Sequence, residues 1–325
     1  MPPKLMVVGS LNYDITLYVD RFAPPKTVVH KLTRYLGGSG GNSAVAAARA
    51  LGKEAVVFFG AVGDDNIGRM HINALMKEGI ITDIIKVIND VESGQAFVAV
   101  DKSGDTAIYS YYGANTKLTP EKIDDSVLAY LESIQYLLIT NPPLSTALEL
   151  ASKAKELGKT IIWDPGAQSK HGLEVLKPVL EKVDYLAPNE GELLTMTGTD
   201  DLFNAIKLVQ KVNPHLKILV KRGEKGSALV DTSKNTIVFV NAVPPEALGY
   251  KTVSTVGCGD AYVGIFTAFL ILGYSEVNAM KVATCAATLN AAYEGPRGIP
   301  PKQALLKWFE ACKVLINIKE ERIKQ

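Results

Sequence analysis

Tyr136-Leu137-Leu138-Ile139-Thr140, the segment Leu144–Leu157, and Thr160-Ile161-Ile162-Trp163 together decide the fold. The two short runs are almost wholly apolar, so each reads as a strand buried on both faces. The segment between them is long enough for a helix and ends at Gly158, a common stop signal. A strand–helix–strand unit of this kind builds a parallel sheet. The same rhythm extends outward. Further strands are expected at Leu5–Gly9, Ala55–Gly60, Tyr185–Ala187, Lys217–Lys221 and Ser227–Val230. Helices are expected at Gly41–Leu51, Asn66–Lys77, Pro120–Leu131, Leu173–Lys182, Glu190–Met196 and Leu202–Val212. The C-terminal stretch reads as helical, at Asp260–Leu272, Glu276–Tyr293 and Pro301–Leu315. The expected class is α/β, with a central, mostly parallel sheet covered by helices.

Two stretches break this rhythm. Tyr13–Gly37 contains alternating segments and prolines at 24 and 25. Val91–Gly113 reads as a hairpin, with Gln95–Val100 and Thr106–Tyr112 flanking a turn at Lys102-Ser103-Gly104-Asp105. Neither fits a strand–helix unit, and both point to a small accessory β-sheet placed as a lid.

Composition narrows the function. Of 325 residues, 47% are apolar and 21% charged, as in an ordinary globular protein. Lys and Arg total 35 against 34 Asp and Glu, so no global field favours nucleic acid or an anionic membrane. Met1–Val8 is too short in its apolar part for a signal peptide, and Ala261–Leu272 falls short of the ~20 residues of a membrane helix. A cytoplasmic protein is expected. Cys258, Cys285 and Cys312 form no Cys-x-x-Cys pair and make a poor disulfide framework. His30, His71, His171 and His215 are scattered, which suits surface or capping roles better than zinc.

Five segments can carry chemistry. Ser254–Tyr262 places small residues Gly257, Cys258 and Gly259 at a helix start, where backbone N–H groups and the helix dipole favour an anion. Asp260 stands beside them. A carboxylate there repels a bound phosphate unless it serves as base for a hydroxyl attacking that phosphate; the plainer alternative is a capping Asp. Gly37-Gly38-Ser39-Gly40-Gly41-Asn42 opens the alanine-rich helix and allows close backbone approach to a ligand, or is a flexible turn. It is neither a Gly-x-Gly-x-x-Gly fingerprint, since position 43 is Ser, nor a Gly-x4-Gly-Lys-Ser/Thr loop. Pro188–Glu192 follows a buried strand, where open α/β sheets bind ligands, although helix capping explains Asn189 and Glu192 equally well. Lys221–Gly226 is a second post-strand turn. In Gly9–Asp14, Asp14 can accept hydrogen bonds from ligand hydroxyls or cap a turn.

In this order, the five segments resemble the ribokinase-like (PfkB) carbohydrate kinase family over nearly the whole chain, residues 1–325. Gly37–Ala50 is similar to its N-terminal signature and Val253–Phe266 to its C-terminal signature. Asn189-x-x-Glu192 matches its Asn-x-x-Glu motif, Val220–Gly226 its nucleotide-side turn, and Gly113-Ala114-Asn115 a stretch that follows its lid. The resemblance implies Asp260 as general base, with Gly257, Cys258 and Gly259 cradling the transferring phosphate. It implies Asp14, Gly38 and Asn42 as ligands of substrate hydroxyls, and Asn189 and Glu192 as organisers of Mg2+ through water. Lys221, Gly223, Gly226 and the helix near Thr284 flank ATP, and two lids pair in a homodimer. Ser254 stands where the family usually carries Asp, which puts activation by a monovalent cation in doubt. Asn141 aligns with a sugar-contacting glutamate, and Trp163–Gly166 is similar to a stretch of nucleoside kinases. Free sugar and nucleoside therefore both stay open. A phosphofructokinase-type reaction on a sugar phosphate lacks any Arg or Lys between Leu5 and Asp20. A non-catalytic sugar or nucleotide sensor would have no need of Asp260.

Overall fold

The computed structural model describes residues 2–22, 26–103 and 106–323. Prolines 24 and 25, and Gly104 and Asp105 of the hairpin turn, lie outside the described residues. In chain order the elements are β1 (Leu5–Gly9), β2 (Asn12–Val19), β3 (Val29–Gly37), α1 (Ser39–Leu51), β4 (Val56–Phe59), β5 (Ala61–Gly63), α2 (Asn66–Lys77), β6 (Lys86–Ile88), β7 (Gly94–Val100) and β8 (Thr106–Tyr111). There follow α3 (Asp125–Ser133), β9 (Tyr136–Thr140), α4 (Leu144–Glu156), β10 (Thr160–Asp164), α5 (Leu173–Leu180), β11 (Tyr185–Leu186), α6 (Glu190–Thr197), α7 (Leu202–Val212) and β12 (Lys217–Lys221). The chain closes with β13 (Ser227–Asp231), β14 (Thr236–Val240), α8 (Cys258–Ile271), α9 (Glu276–Ala291), α10 (Lys302–Cys312) and β15 (Ile318–Arg322).

The main sheet has the order β15-β14-β13-β12-β11-β10-β9-β1-β4. From β4 to β12 every pairing is parallel. From β12 to β15 the pairings are antiparallel. Alternation along β1 explains the two layers. Leu5 and Val7 join one buried cluster with α1, α8 and α9 side chains, while Met6 and Val8 join the other, with α3 to α7. Successive side chains on a strand point to opposite faces, so a strand covered on both sides must be apolar throughout. β2, β3, β7 and β8 form a separate four-stranded sheet in the order β3-β2-β7-β8, as the two rhythm-breaking stretches imply.

Several expectations are corrected. The C-terminal stretch is not wholly helical: Ile318–Arg322 is an edge strand on β14. Its charged residues face water, as edge strands require, and so hide its strand character. Thr236–Val240 is a strand that no expectation covered. Pro120–Leu131 begins as a short 3₁₀ turn, and the α-helix starts only at Asp125, with Asp124 accepting from the Val127 N–H. Cys285 and Cys312 are disulfide-bonded, with Cα atoms 6.0 Å apart. Packing of α9 against α10 brings together two thiols that their 27-residue separation keeps apart in sequence. His71 is no surface histidine; it is fully buried on α2. Among the described residues, no helix is long and apolar enough to cross a membrane.

Candidate active site

In an open parallel sheet the loops at the carboxyl ends of the strands share one edge, where ligands bind. Here that edge gathers Ser10–Asp14 after β1, Asn141 after β9, Asp164 at the end of β10, Asn189 after β11 and Lys221 at the end of β12. The first turns of α1 and α8 meet there. Asn42 Nδ2 donates to Asp260 Oδ2 at 2.9 Å, and Ser43 Oγ donates to the Asp260 carbonyl at 3.2 Å. Two segments 218 residues apart in the chain are thus locked together. Gly257 precedes α8 with φ 75°, a left-handed conformation that disfavours side chains. A Cβ there would also lie 2.5 Å from the Pro296 carbonyl oxygen. Gly38, with φ 84°, would carry a Cβ 2.6 Å from the Asn12 nitrogen. Both glycines therefore permit turns that another residue would block.

Burial sets the electrostatics. Removal from water pushes the Asp260 carboxyl above its usual range, against the hydrogen bond from Asn42. Asp14 is raised to about 7, chiefly by burial and next by repulsion from Asp260, with Arg297 opposing. A carboxylate poised near neutral pH beside another carboxylate is an arrangement suited to proton transfer. Lys221 donates through Nζ to Asp164 Oδ2. Burial opposes its charge, but Asp164 and Glu192 outweigh burial and hold the ammonium above its usual range. Glu192 is raised by burial and by Asp164, with Lys221 opposing.

Asn189 and Glu192 form a reciprocal capping box. Asn189 Oδ1 accepts from the Glu192 N–H, and Glu192 Oε2 accepts from the Asn189 N–H, both at 2.8 Å. Capping and function coexist, because the Glu192 carboxyl also feels Asp164, Lys221 and Asp260. Among the described residues no group of three or more His, Cys, Asp or Glu is arranged to hold a metal. The donors fit magnesium nonetheless, since that ion keeps several waters and is bound by one or two carboxylates together with substrate phosphates. Asn141 has φ 55° and lines a cavity of about 200 Å³ with Tyr112, Asn115, Gln168, Lys170 and His171. Asn115 ties that cavity to the lid hinge, donating to the Leu11 carbonyl at 3.0 Å and accepting from the Leu11 N–H at 2.9 Å.

Gly223 and Gly226 lie in the turn between β12 and β13, which Arg222 fastens to the start of α6 through Glu190 at 2.8 Å. Thr284 is buried inside α9, against Tyr262. Glu294, an acidic residue close to the end of α9, pairs with Lys31 of β3 at 2.8 Å and is taken up by the lid.

Sequence reading named Asp164 only within the Trp163–Gly166 stretch, with no role in the site, and missed Arg297. Arg297 Nε donates to Asn42 Oδ1 at 3.1 Å and Nη2 to the Gly37 carbonyl at 3.4 Å, so the Asn42 amide is held with its nitrogen toward Asp260. Arg297 comes from a loop near the C-terminus, and nothing local marks it. Asp164 did carry a signal: a carboxylate ending an apolar strand at the ligand edge.

A scan against protein families matches residues 2–303 to the pfkB family carbohydrate kinase. The chain is 31% identical to a bifunctional ribokinase/ribose-5-phosphate isomerase A of Fructilactobacillus sanfranciscensis, covering 93% of this chain and 55% of that one. It is 29% identical to a ribokinase of Arabidopsis thaliana, covering 94% of this chain and 80% of the relative. A solved structure of Arabidopsis thaliana ribokinase complexed with ribose and ATP superposes with a TM-score of 0.84 at 28% identity, covering 95% of this chain and 99% of that one. An ATP-dependent ribose-1-phosphate kinase of Halopiger xanaduensis is 27% identical over 93% of this chain and 96% of the relative.

Proposed function

The chain belongs to the pfkB family of carbohydrate kinases, phosphotransferases with an alcohol group as acceptor, and from that premise we propose that it transfers the terminal phosphoryl group of ATP to a hydroxymethyl group of a sugar or of the ribose of a nucleoside. One observation carries the reading. Asp260 stands in the first turn of α8, held by Asn42 at 2.9 Å, directly beside the backbone N–H groups of Gly257, Cys258 and Gly259. A proton acceptor adjoining an anion cradle can deprotonate a hydroxyl as that oxygen attacks phosphorus. The bond from phosphorus to the bridging oxygen breaks, ADP leaves, and the proton stays on Asp260. Asp14, Gly38 and Asn42 orient the acceptor hydroxyls, and the Lys221–Gly226 turn supports the nucleotide. When bound, Mg2+ supplies charge to the phosphates, with Glu192 reaching it through water and Asn189 holding Glu192 in place. The test is a panel of sugars and nucleosides with ATP, magnesium and pure protein, read as ADP release. Turnover of at least one acceptor is expected, and ATP left intact with every acceptor would refute the reading.

Two lids pairing in a homodimer complete this reading. Strand register puts Tyr13, Ile15, Leu17, Phe97 and Tyr109 on the lid face opposite Asp14, and an apolar sheet face needs a cover. A second reading, a sugar-phosphate acceptor, is favoured by one observation. Lys170 and His171 line the cavity beside Asn141, where their nitrogens can donate to an acceptor's phosphate. The same panel decides, with sugar phosphates added.

A further inference from the structure

The proposed reaction gives Lys221 only a place beside the nucleotide. It ends β12 and is paired with Asn189 across a parallel bridge. Its side chain does not follow the turn toward Gly223. It runs instead to the first turn of α8, where a Cβ placed on Gly259 would lie 3.7 Å from Cδ and 3.8 Å from Nζ. The ammonium is anchored from the other side by Asp164, itself buried at the end of β10, with the carboxyls of Glu192 and Asp260 close by. Three carboxyl groups thus surround one fixed cation, on the surface of the proposed cradle.

We propose that Lys221 is a catalytic residue whose ammonium contacts the phosphoryl group in transfer, and that Asp164 is the residue that positions it. The inference rests on the kinase reading and goes beyond it, since that reading gives Lys221 only a place beside the nucleotide. A transferred phosphoryl spreads negative charge over three oxygens, and cations aimed at those oxygens stabilise the transition state. The cradle supplies only neutral N–H donors, and the charges acting on Lys221 are those of Asp164, Glu192 and Asp260, while the other nearby cation, Arg297, is engaged by Asn42 and the Gly37 carbonyl. The ammonium keeps its proton throughout: the acceptor hydroxyl loses its proton to Asp260, and Lys221 acts as charge alone.

The experiment compares Lys221→Met, Lys221→Arg and the pair Lys221→Met with Asp164→Asn. ADP and a non-hydrolysable ATP analogue are the binding probes, and turnover is measured with ATP, magnesium and the best acceptor of the panel. Removing one transition-state donor typically costs ~10²–10³-fold in turnover. Lys221→Met is therefore expected to lose at least ~100-fold in kcat, to weaken the triphosphate analogue, and to bind ADP within about threefold of wild type. Lys221→Arg should recover part of the loss, since it keeps the charge. Leaving Asp164 unpaired costs stability, so Lys221→Met alone should melt earlier. The double variant should melt like wild type yet stay slow. Equal losses of ADP affinity and turnover would make Lys221 a nucleotide anchor and overturn the proposal. So would a double variant that regains turnover with its stability, which would make the pair structural. Wild-type protein that turns over no acceptor at all would refute the kinase reading and this inference with it.

Discussion

The two ends of the candidate site are built in opposite ways. At the α8 end, buried and half-buried groups hold one another: Asn42 spans Asp260 and Arg297, and Lys221 is clasped by Asp164. At the lid end a thin sheet contributes one half-buried carboxyl, Asp14, while leaving Phe97 38% and Tyr109 70% exposed. The first region is covered on both faces by helices and carries its own support. The second has no core of its own and depends on whatever covers its outer face. From this difference, α8 substitutions should act on the chemical step, and lid substitutions on acceptor binding and assembly.

Asp260→Asn tests the first half most severely. It keeps size and the contact with Asn42 but cannot accept the proton. Turnover should fall at least ~100-fold, with ADP affinity little changed, as steady-state kinetics and calorimetry would read. Near wild-type turnover would remove Asp260 from the chemistry and erase the contrast.

Lid substitutions should divide differently. Wild-type protein is expected to scatter light as a dimer at micromolar concentration. Phe97→Asp combined with Tyr109→Asp should give monomers, raise the acceptor KM by roughly tenfold and leave kcat within about twofold. A wild-type monomer would sink the proposed pairing of lids.

Asp14 adds a pH signature. Its carboxyl is raised to about 7, against an ordinary 3.8 in the unfolded chain. Between those values the folded protein holds a proton that the unfolded chain has lost. This group therefore stabilises the substrate-free fold less as pH rises through the window, by a few kcal/mol at most. Acceptor binding should run the other way, with KM falling as pH passes about 7 and the carboxylate becomes a full acceptor. Melting at pH 5 and pH 8, and KM across that range, check both signs. Asp14→Asn should flatten both profiles.

The smallest effect expected is at Ser254. Its hydroxyl accepts from the Val256 N–H at 3.3 Å and brings no charge to the loop before α8. One missing charge at an effective dielectric of ~20 removes on the order of 4 kcal/mol of attraction before desolvation. Potassium should therefore activate weakly or not at all, and Ser254→Asp should strengthen it. Glu294, which could otherwise restore the charge, is paired with Lys31. Initial rates against potassium at constant ionic strength decide. Strong activation of the wild type that Ser254→Asp leaves unchanged would free this position from any such role.

Much of this was legible along the chain. Uninterrupted apolar runs such as Leu5–Val8 announced the parallel strands, and alternation announced the lid, because burial on two faces or one face leaves a direct mark on composition. Gly38 and Gly257 announced tight turns at helix starts because few other residues tolerate those backbones. Asp14, Asn42, Asn189, Lys221 and Asp260 were all legible as polar residues at the ends of apolar segments. What they touch was not. Asp164 and Lys221 meet only because β10 and β12 flank the two-residue β11 in the sheet. Arg297 reaches Asn42 across 255 residues, and Cys285 finds Cys312 only where α9 packs on α10. Local sequence fixes dihedrals and periodicity, which are properties of neighbours in the chain. The pairing of charges belongs to neighbours in space, and strand order and helix packing alone decide who those are.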